Sequence, residues 1–297
     1  MLVPDALRPG DLIDVIAPSS PFDKTLAMRG LGWLGERYRL RFDSGMFAKC
    51  GYLAGCDERR FEELDRAVRA TDSKAVVAAR GGYGLHRIAH RVDWSVLRTH
   101  PKWLVGFSDA TVLHVEAASV GVASMHASMV TALGRGDARS RSRWLAAMEH
   151  PLRAQHWSDL SVVHEGRCTG VSFGGNLTVL HACAAAGRLH IPPRAVVFLE
   201  DVGERPYRID RVLSTLRVGG HFDDVVGFVV GEFTDCYAGT DNVSALDVVA
   251  DVLRGLGVPV VSGFPIGHGL RNHPIPMGVM VEVEASATHA QVSVIGR

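Results

Sequence analysis

Three stretches of this 297-residue chain hold residue types that acyl-transfer chemistry uses. Gly106-Phe107-Ser108-Asp109-Ala110 follows an apolar run and opens an amphipathic one, so Ser108 stands on a strand-to-helix turn between small residues. That is the setting of a nucleophile elbow, although the strict pattern has Gly where this chain has Ala110. The plainer role for such a serine is a helix cap, and for Asp109 a carboxylate in the first helical turn. Glu200-Asp201 close the apolar run Val196-Val197-Phe198-Leu199, and acids directly after a buried strand need water or a partner. His268 lies between Gly267 and Gly269, where an imidazole has little packing role of its own. Serine, acid and histidine suffice for acyl transfer: the imidazole takes the Ser108 proton, the carboxylate orients and stabilises the imidazolium, and backbone amides receive the oxyanion. Arg80-Gly81-Gly82-Tyr83-Gly84 offers such amides, which makes Gly81 and Gly82, with the amide of Asp109, candidate oxyanion donors. The same glycines also serve any tight turn.

These groups have to be held by elements whose pattern is that of β-α units around a mostly parallel sheet. Residues 11–17 read as a buried strand followed by the turn Pro18-Ser19-Ser20-Pro21, and 22–38 as a helix. Asp57 is placed to cap a helix running to about Ala70. Two further units follow: strand 75–79 with the glycine turn, and strand 103–107 with Ser108 ahead of helix 110–119. Both turns fall at carboxyl ends of strands, where open α/β sheets bind ligands. Residues 135–165, rich in charge, read as a linker with one short helix near Trp144. A second domain over 166–297 is expected to contain strand 195–199, helix 206–216, strand 225–231, helix 243–255, strand 258–262 and an antiparallel pair at 278–284 and 290–295. The fold class is thus α/β, with a flavodoxin-like or Rossmann-like domain over 1–134 and a smaller mixed α/β domain after the linker.

Composition excludes several other roles. Apolar residues make up 47% and charged residues 22%, values of a globular chain. Lys+Arg and Asp+Glu both number 32, so no basic excess points to nucleic acid or anionic membrane. No apolar run approaches the length of a membrane span, and the first residues lack the pattern of a signal peptide. Five cysteines without a C-x-x-C pair suggest neither a disulfide framework nor a zinc ribbon and fit a reducing, cytoplasmic compartment. The glycine turn fails the dinucleotide fingerprint, because Arg87 stands where the last glycine belongs, and no Gly-Lys of a P-loop occurs. His86 and His90 are spaced for one helix face, but no further metal ligands accompany them.

With these motifs in their order, the chain resembles the LD-carboxypeptidase family of serine peptidases. The resemblance rests on Ala79-Arg80-Gly81-Gly82-Tyr83-Gly84, Gly106-Phe107-Ser108-Asp109, Gly174-Gly175-Asn176-Leu177, Leu199-Glu200-Asp201-Val202-Gly203-Glu204 with Tyr207-Arg208-Ile209-Asp210-Arg211, and Gly263-Phe264-Pro265-Ile266-Gly267-His268-Gly269. Gly10-Asp11 and Pro276-Met277-Gly278 agree as well. It implies a nucleophile at Ser108 in the first domain, Glu200 and His268 from the second, oxyanion donors at Asp109 and the Gly81-Gly82 turn, and no metal or organic cofactor. It further implies as substrate a cell-wall tetrapeptide, cut during peptidoglycan recycling between the L-centre of diaminopimelate (or Lys) and the terminal D-Ala; a homodimer is the expected assembly. Such a substrate ends in a carboxylate, for which Arg80, Arg208 and Arg271 are candidate cations. Glu200 is favoured over Asp201 and Glu204 as the acid, since strand alternation sends Glu200 and Asp201 to opposite faces. A sister branch, the microcin C immunity peptidases, cleaves peptidyl or acyl-sulfamoyl adenylates and carries an aromatic insertion for the purine. Trp144 and Trp157 lie in the stretch 134–168, which has no aligned motif, and keep that alternative in view. A non-catalytic binding protein on the same scaffold is disfavoured, because all three reactive groups are present.

Overall fold

A computed structural model describes residues 1–296, which divide into two compact units: Met1–Pro151 with His273–Pro276, and Leu152–Asn272 with 277–296.

In the first unit, strands β1 (Leu12–Ile16), β2 (Arg39–Arg41), β3 (Ala75–Ala78), β4 (Trp103–Gly106) and β5 (Ser124–His126) pair in parallel. Their order, β2-β1-β3-β4-β5, is the flavodoxin-like one, and the short strand Ile275–Met277 closes the sheet beside β5. β1, β3 and β4 are buried almost throughout, which explains their continuous apolar runs. The core gathers Ile13, Val15, Val77, Trp103 and Val105 with Trp144, whose ring lies 6.0 Å from that of Trp33 and 6.3 Å from that of Tyr38. The helix expected from Asp57 spans Asp57–Arg69. Its cap position falls instead on Cys56, and Asp57 stands in the first turn with its carboxylate paired to Arg60 and Arg87.

The second unit holds β6 (Gln155–Trp157), β7 (Ser161–His164), β8 (Gly166–Asn176), β9 (Ala195–Val202), β10 (Gly227–Thr234) and β11 (Val260–Ser262). With Ile275–Met277 counted as β12, it also holds β13 (Met280–Ser286) and β14 (His289–Val294). The sheet order is β6-β14-β13-β8-β9-β10-β11-β7. β8 to β11 run parallel, and the flanking strands are antiparallel. The molecule is therefore α/β with one mostly parallel sheet and one mixed sheet. The stretch expected as a linker, 135–165, is built differently. Helix Ala138–Glu149 places Trp144 in the first core, and β6 and β7 pair with β14 and β11, so the second unit starts before Gly166.

Among the described residues, no helix is long and apolar enough to cross a membrane.

Candidate active site

In the first unit, the β4 strand ends at Gly106 and the chain turns sharply at Ser108, whose φ of +64° is left-handed. An L residue rarely adopts that backbone without a reason, and nucleophile elbows supply one. Residues at both sides must be small: a Cβ on Gly106 would stand 2.5 Å from the Cβ of Ala110. Ser108 is not a helix cap, since the cap position of the turn it opens is Phe107. It is half-buried, while Asp109 beside it is buried and accepts a 2.9 Å bond from the Leu85 amide. Burial pushes the Asp109 carboxyl above the usual carboxylate range. Its side chain thus ties the turn after β4 to the glycine loop after β3.

That loop comes very close. A Cβ on Gly81 would stand 2.9 Å from the Ser108 Cβ, 3.1 Å from its Oγ and 3.3 Å from the Asp109 amide nitrogen. Gly82, at φ +101°, would bring a Cβ to 2.5 Å from Ser20 Oγ. Ser20 in turn accepts from the Tyr83 amide at 3.0 Å and donates its own amide to Gly81 O at 3.2 Å. The loops after β1, β3 and β4 therefore converge where the strand order reverses between β1 and β3.

Sequence reading missed two side chains that hold these loops. Arg60, fully buried, donates to the carbonyls of Pro18 and Gly84, bridging the first two loops, and pairs with Asp57. An arginine in a charge-rich helix carries no signal of such a role. His114 sits behind the elbow with Nε2 3.1 Å from Gly106 O and Nδ1 2.9 Å from Ser124 Oγ. A carbonyl only accepts, so Nε2 bears the hydrogen and Nδ1 accepts from Ser124. Burial pulls the pKa of His114 down to about 4 and keeps it neutral.

In the second unit, Glu200 is fully buried near the end of β9, and its Oε2 lies 2.8 Å from Nδ1 of His268. Burial raises the Glu200 pKa, and His268 draws it back in part. For His268, burial alone lowers the pKa, but the Glu200 hydrogen bond and charge outweigh it and leave the imidazole above its ordinary value. Asp201, one residue on, faces the other way. It accepts from Asn176 Nδ2 at 3.0 Å, from the Thr178 amide at 2.9 Å, from Thr178 Oγ1 at 2.8 Å and from the Val202 amide at 2.8 Å. These bonds brace the start of helix Leu177–Ala185, whose cap is Asn176 with its side chain accepting from the Val179 amide at 3.1 Å, and give the Asn176 of the Gly174-Gly175-Asn176 stretch its role. Glu204 is engaged by Arg208 at 3.7 Å.

The three candidate cations differ in surroundings. Arg80 donates to Pro21 O at 2.5 Å beside the glycine turn. Arg208 is exposed, held between Glu204 and the Tyr207 hydroxyl, and Arg271 is exposed in the loop after His268. Trp144, considered for stacking a purine, is instead fully buried in the core and donates to Ser128 O at 3.1 Å. Trp157 packs on Phe264 with ring centroids 4.9 Å apart. Among the described residues, no three His, Cys, Asp or Glu side chains gather in a metal-binding set.

The models of the LD-carboxypeptidase N-terminal and C-terminal domains match residues 13–127 and 169–283. The chain belongs to the LD-carboxypeptidase family and is by class a serine-type carboxypeptidase, a hydrolase. Among its relatives, the murein tetrapeptide carboxypeptidase of Pseudomonas aeruginosa is 34% identical over 255 residues, covering 80% of this chain and 81% of that protein. The crystal structure of muramoyltetrapeptide carboxypeptidase from Oxalobacter formigenes superposes with a TM-score of 0.86 at 27% identity, covering 96% of this chain and 99% of that one. The microcin C7 self-immunity protein of Escherichia coli is 24% identical over 321 residues, covering 94% of this chain and 92% of that protein.

Proposed function

We propose that this carboxypeptidase removes the terminal D-Ala from cell-wall tetrapeptides by a Ser108–His268–Glu200 acyl-enzyme mechanism. The observation that carries the reading is the buried Glu200–His268 pair, because a carboxylate on Nδ1 sets Nε2 as the basic nitrogen and stabilises the imidazolium that catalysis creates. Ser108 Oγ attacks the carbonyl of the penultimate residue and gives its proton to His268. The oxyanion is received by the Asp109 amide and the Gly81-Gly82 turn, whose backbone adjoins Ser108. Collapse expels D-Ala, protonated by His268, and water then releases the shortened peptide through the same groups. Of the candidate cations for the substrate carboxylate, Arg80 beside the oxyanion turn is our first choice, ahead of Arg208 and Arg271.

The murein substrate is supported by the relatives named above. The peptidyl-adenylate alternative keeps the support of the immunity relative, but a purine platform at Trp144 is removed by that residue's burial. We further propose a cytoplasmic location, in keeping with five free thiols, and a homodimer, to be measured by sedimentation. The central test is Ser108→Ala: D-Ala release from the tetrapeptide should vanish while the thermal melt stays unchanged. Retained release would reject the nucleophile. Faster cleavage of a peptidyl adenylate than of the tetrapeptide by the wild-type enzyme would move the substrate assignment to the immunity branch.

A further inference from the structure

The pairing of β9 with β10 is regular up to Leu199 opposite Val230 and resumes with Asp201 opposite Phe233. Gly231 and Glu232 together therefore face a single residue, Glu200. Such a bulge re-aims a side chain, and bulges favour the neighbourhood of active sites. Here it turns Glu232 toward the loop that carries His268. The Glu232 amide donates to Ile266 O at 2.8 Å, so the loop is held by the backbone of Glu232 rather than by its carboxylate.

Both glycines beside His268 make room for this side chain. A Cβ on Gly267 would stand 3.0 Å from the Glu232 Cβ, and one on Gly269 only 1.7 Å from its Oε2. The carboxylate thus occupies the space that any other residue at 269 would fill. It is half-buried and meets no hydrogen-bond or ion-pair partner among the described residues, even though Arg271 lies two positions beyond Gly269. A half-buried carboxylate without a partner is open to a cation that brings its own hydrogen-bond donors.

We propose that Glu232 is the receptor for an ammonium group on the side chain of the substrate's penultimate residue, the one whose carbonyl is attacked. The proposal rests on the carboxypeptidase reading above and adds what selects its substrate. Diaminopimelate and lysine both present an ammonium at the end of a flexible chain, and a partly desolvated carboxylate binds it as a charge-assisted hydrogen bond. Glu232 thereby gives the two glycines around His268 a reason beyond loop geometry.

The test uses three tetrapeptides ending in D-Ala that differ only at the penultimate residue: lysine, its uncharged analogue norleucine, and the acidic 2-aminoadipate. Wild-type kcat/KM should favour lysine over norleucine by about 10- to 100-fold, the range of a charged hydrogen bond. Glu232→Gln should lower only the lysine peptide, mostly through KM, and leave norleucine within about twofold, which also shows that the variant is folded. Glu232→Lys should turn the preference toward 2-aminoadipate. Equal losses on all three peptides would overturn the proposal and make Glu232 a support of the His268 loop. Equal wild-type turnover of lysine and norleucine would overturn it too, with the carboxypeptidase reading intact. Failure of the wild type to release D-Ala from any peptide would reject that reading and this proposal together.

Discussion

Glu200 and Asp201 are adjacent carboxylates with separate tasks, and their partners tell them apart. Replacing Glu200 with Gln preserves shape but removes the charge that holds the His268 pKa up. Turnover of the D-Ala peptide should fall by on the order of 10⁴, as in comparable triads. The pH profile should move as well. The base acts unprotonated, so the wild-type kcat/KM should rise with pH through a value above that of an ordinary imidazole. In Glu200→Gln that limb should shift toward lower pH, which a pH-rate series on both proteins measures. Asp201→Asn should do the opposite in kind: kcat near normal, and stability lower by about 1–2 kcal/mol in urea, because the cap of helix Leu177–Ala185 weakens.

Among the elements, the turns at strand ends hold the groups proposed to do the chemistry, and their glycines show how little room there is. Gly81→Ala would put a methyl group against Ser108 Oγ and the Asp109 amide, the groups proposed to create and to receive the oxyanion. We expect kcat to fall by about 10²–10³, as when an oxyanion donor is lost, with the melting temperature changed by only a few degrees. A stopped assay of D-Ala release beside a thermal scan checks both. These turns were legible in the sequence because a buried parallel strand and the glycine or serine after it leave a strong local pattern. Strands without that pattern were not. β8 is broken up by Gly166, Gly170 and Gly174, of which two are there for close approach: a Cβ would stand 2.2 Å from Arg194 O at Gly170 and 2.0 Å from Phe198 O at Gly174. β2 is Arg39-Leu40-Arg41, polar at a sheet edge, and β5 is only three residues long. Arg60, His114 and Glu232 stayed hidden because their importance comes from packing and a bulge, and neither leaves a periodicity in the sequence.

Taken as a whole, the molecule divides into units that are not continuous in sequence. The six-stranded sheet that carries Ser108 takes its last strand from 275–277, after the chain has built β6 to β11. A fragment of residues 1–151 should therefore leave β5 as an open edge. Expressed alone, it should scatter light and unfold at a lower temperature than the full chain, since an unpaired edge invites association. A monodisperse fragment with the melting temperature of the full chain would show that the returning strand adds nothing to the sheet.

The same returning strand sets an order of events during synthesis. Domains ordinarily fold as the ribosome releases them, amino-terminal part first. Here the sheet behind Ser108 waits for a strand that follows Glu200, Glu232 and His268 in the message. A nascent chain thus carries Ser108 on an unfinished sheet until the residues proposed to activate it have been translated.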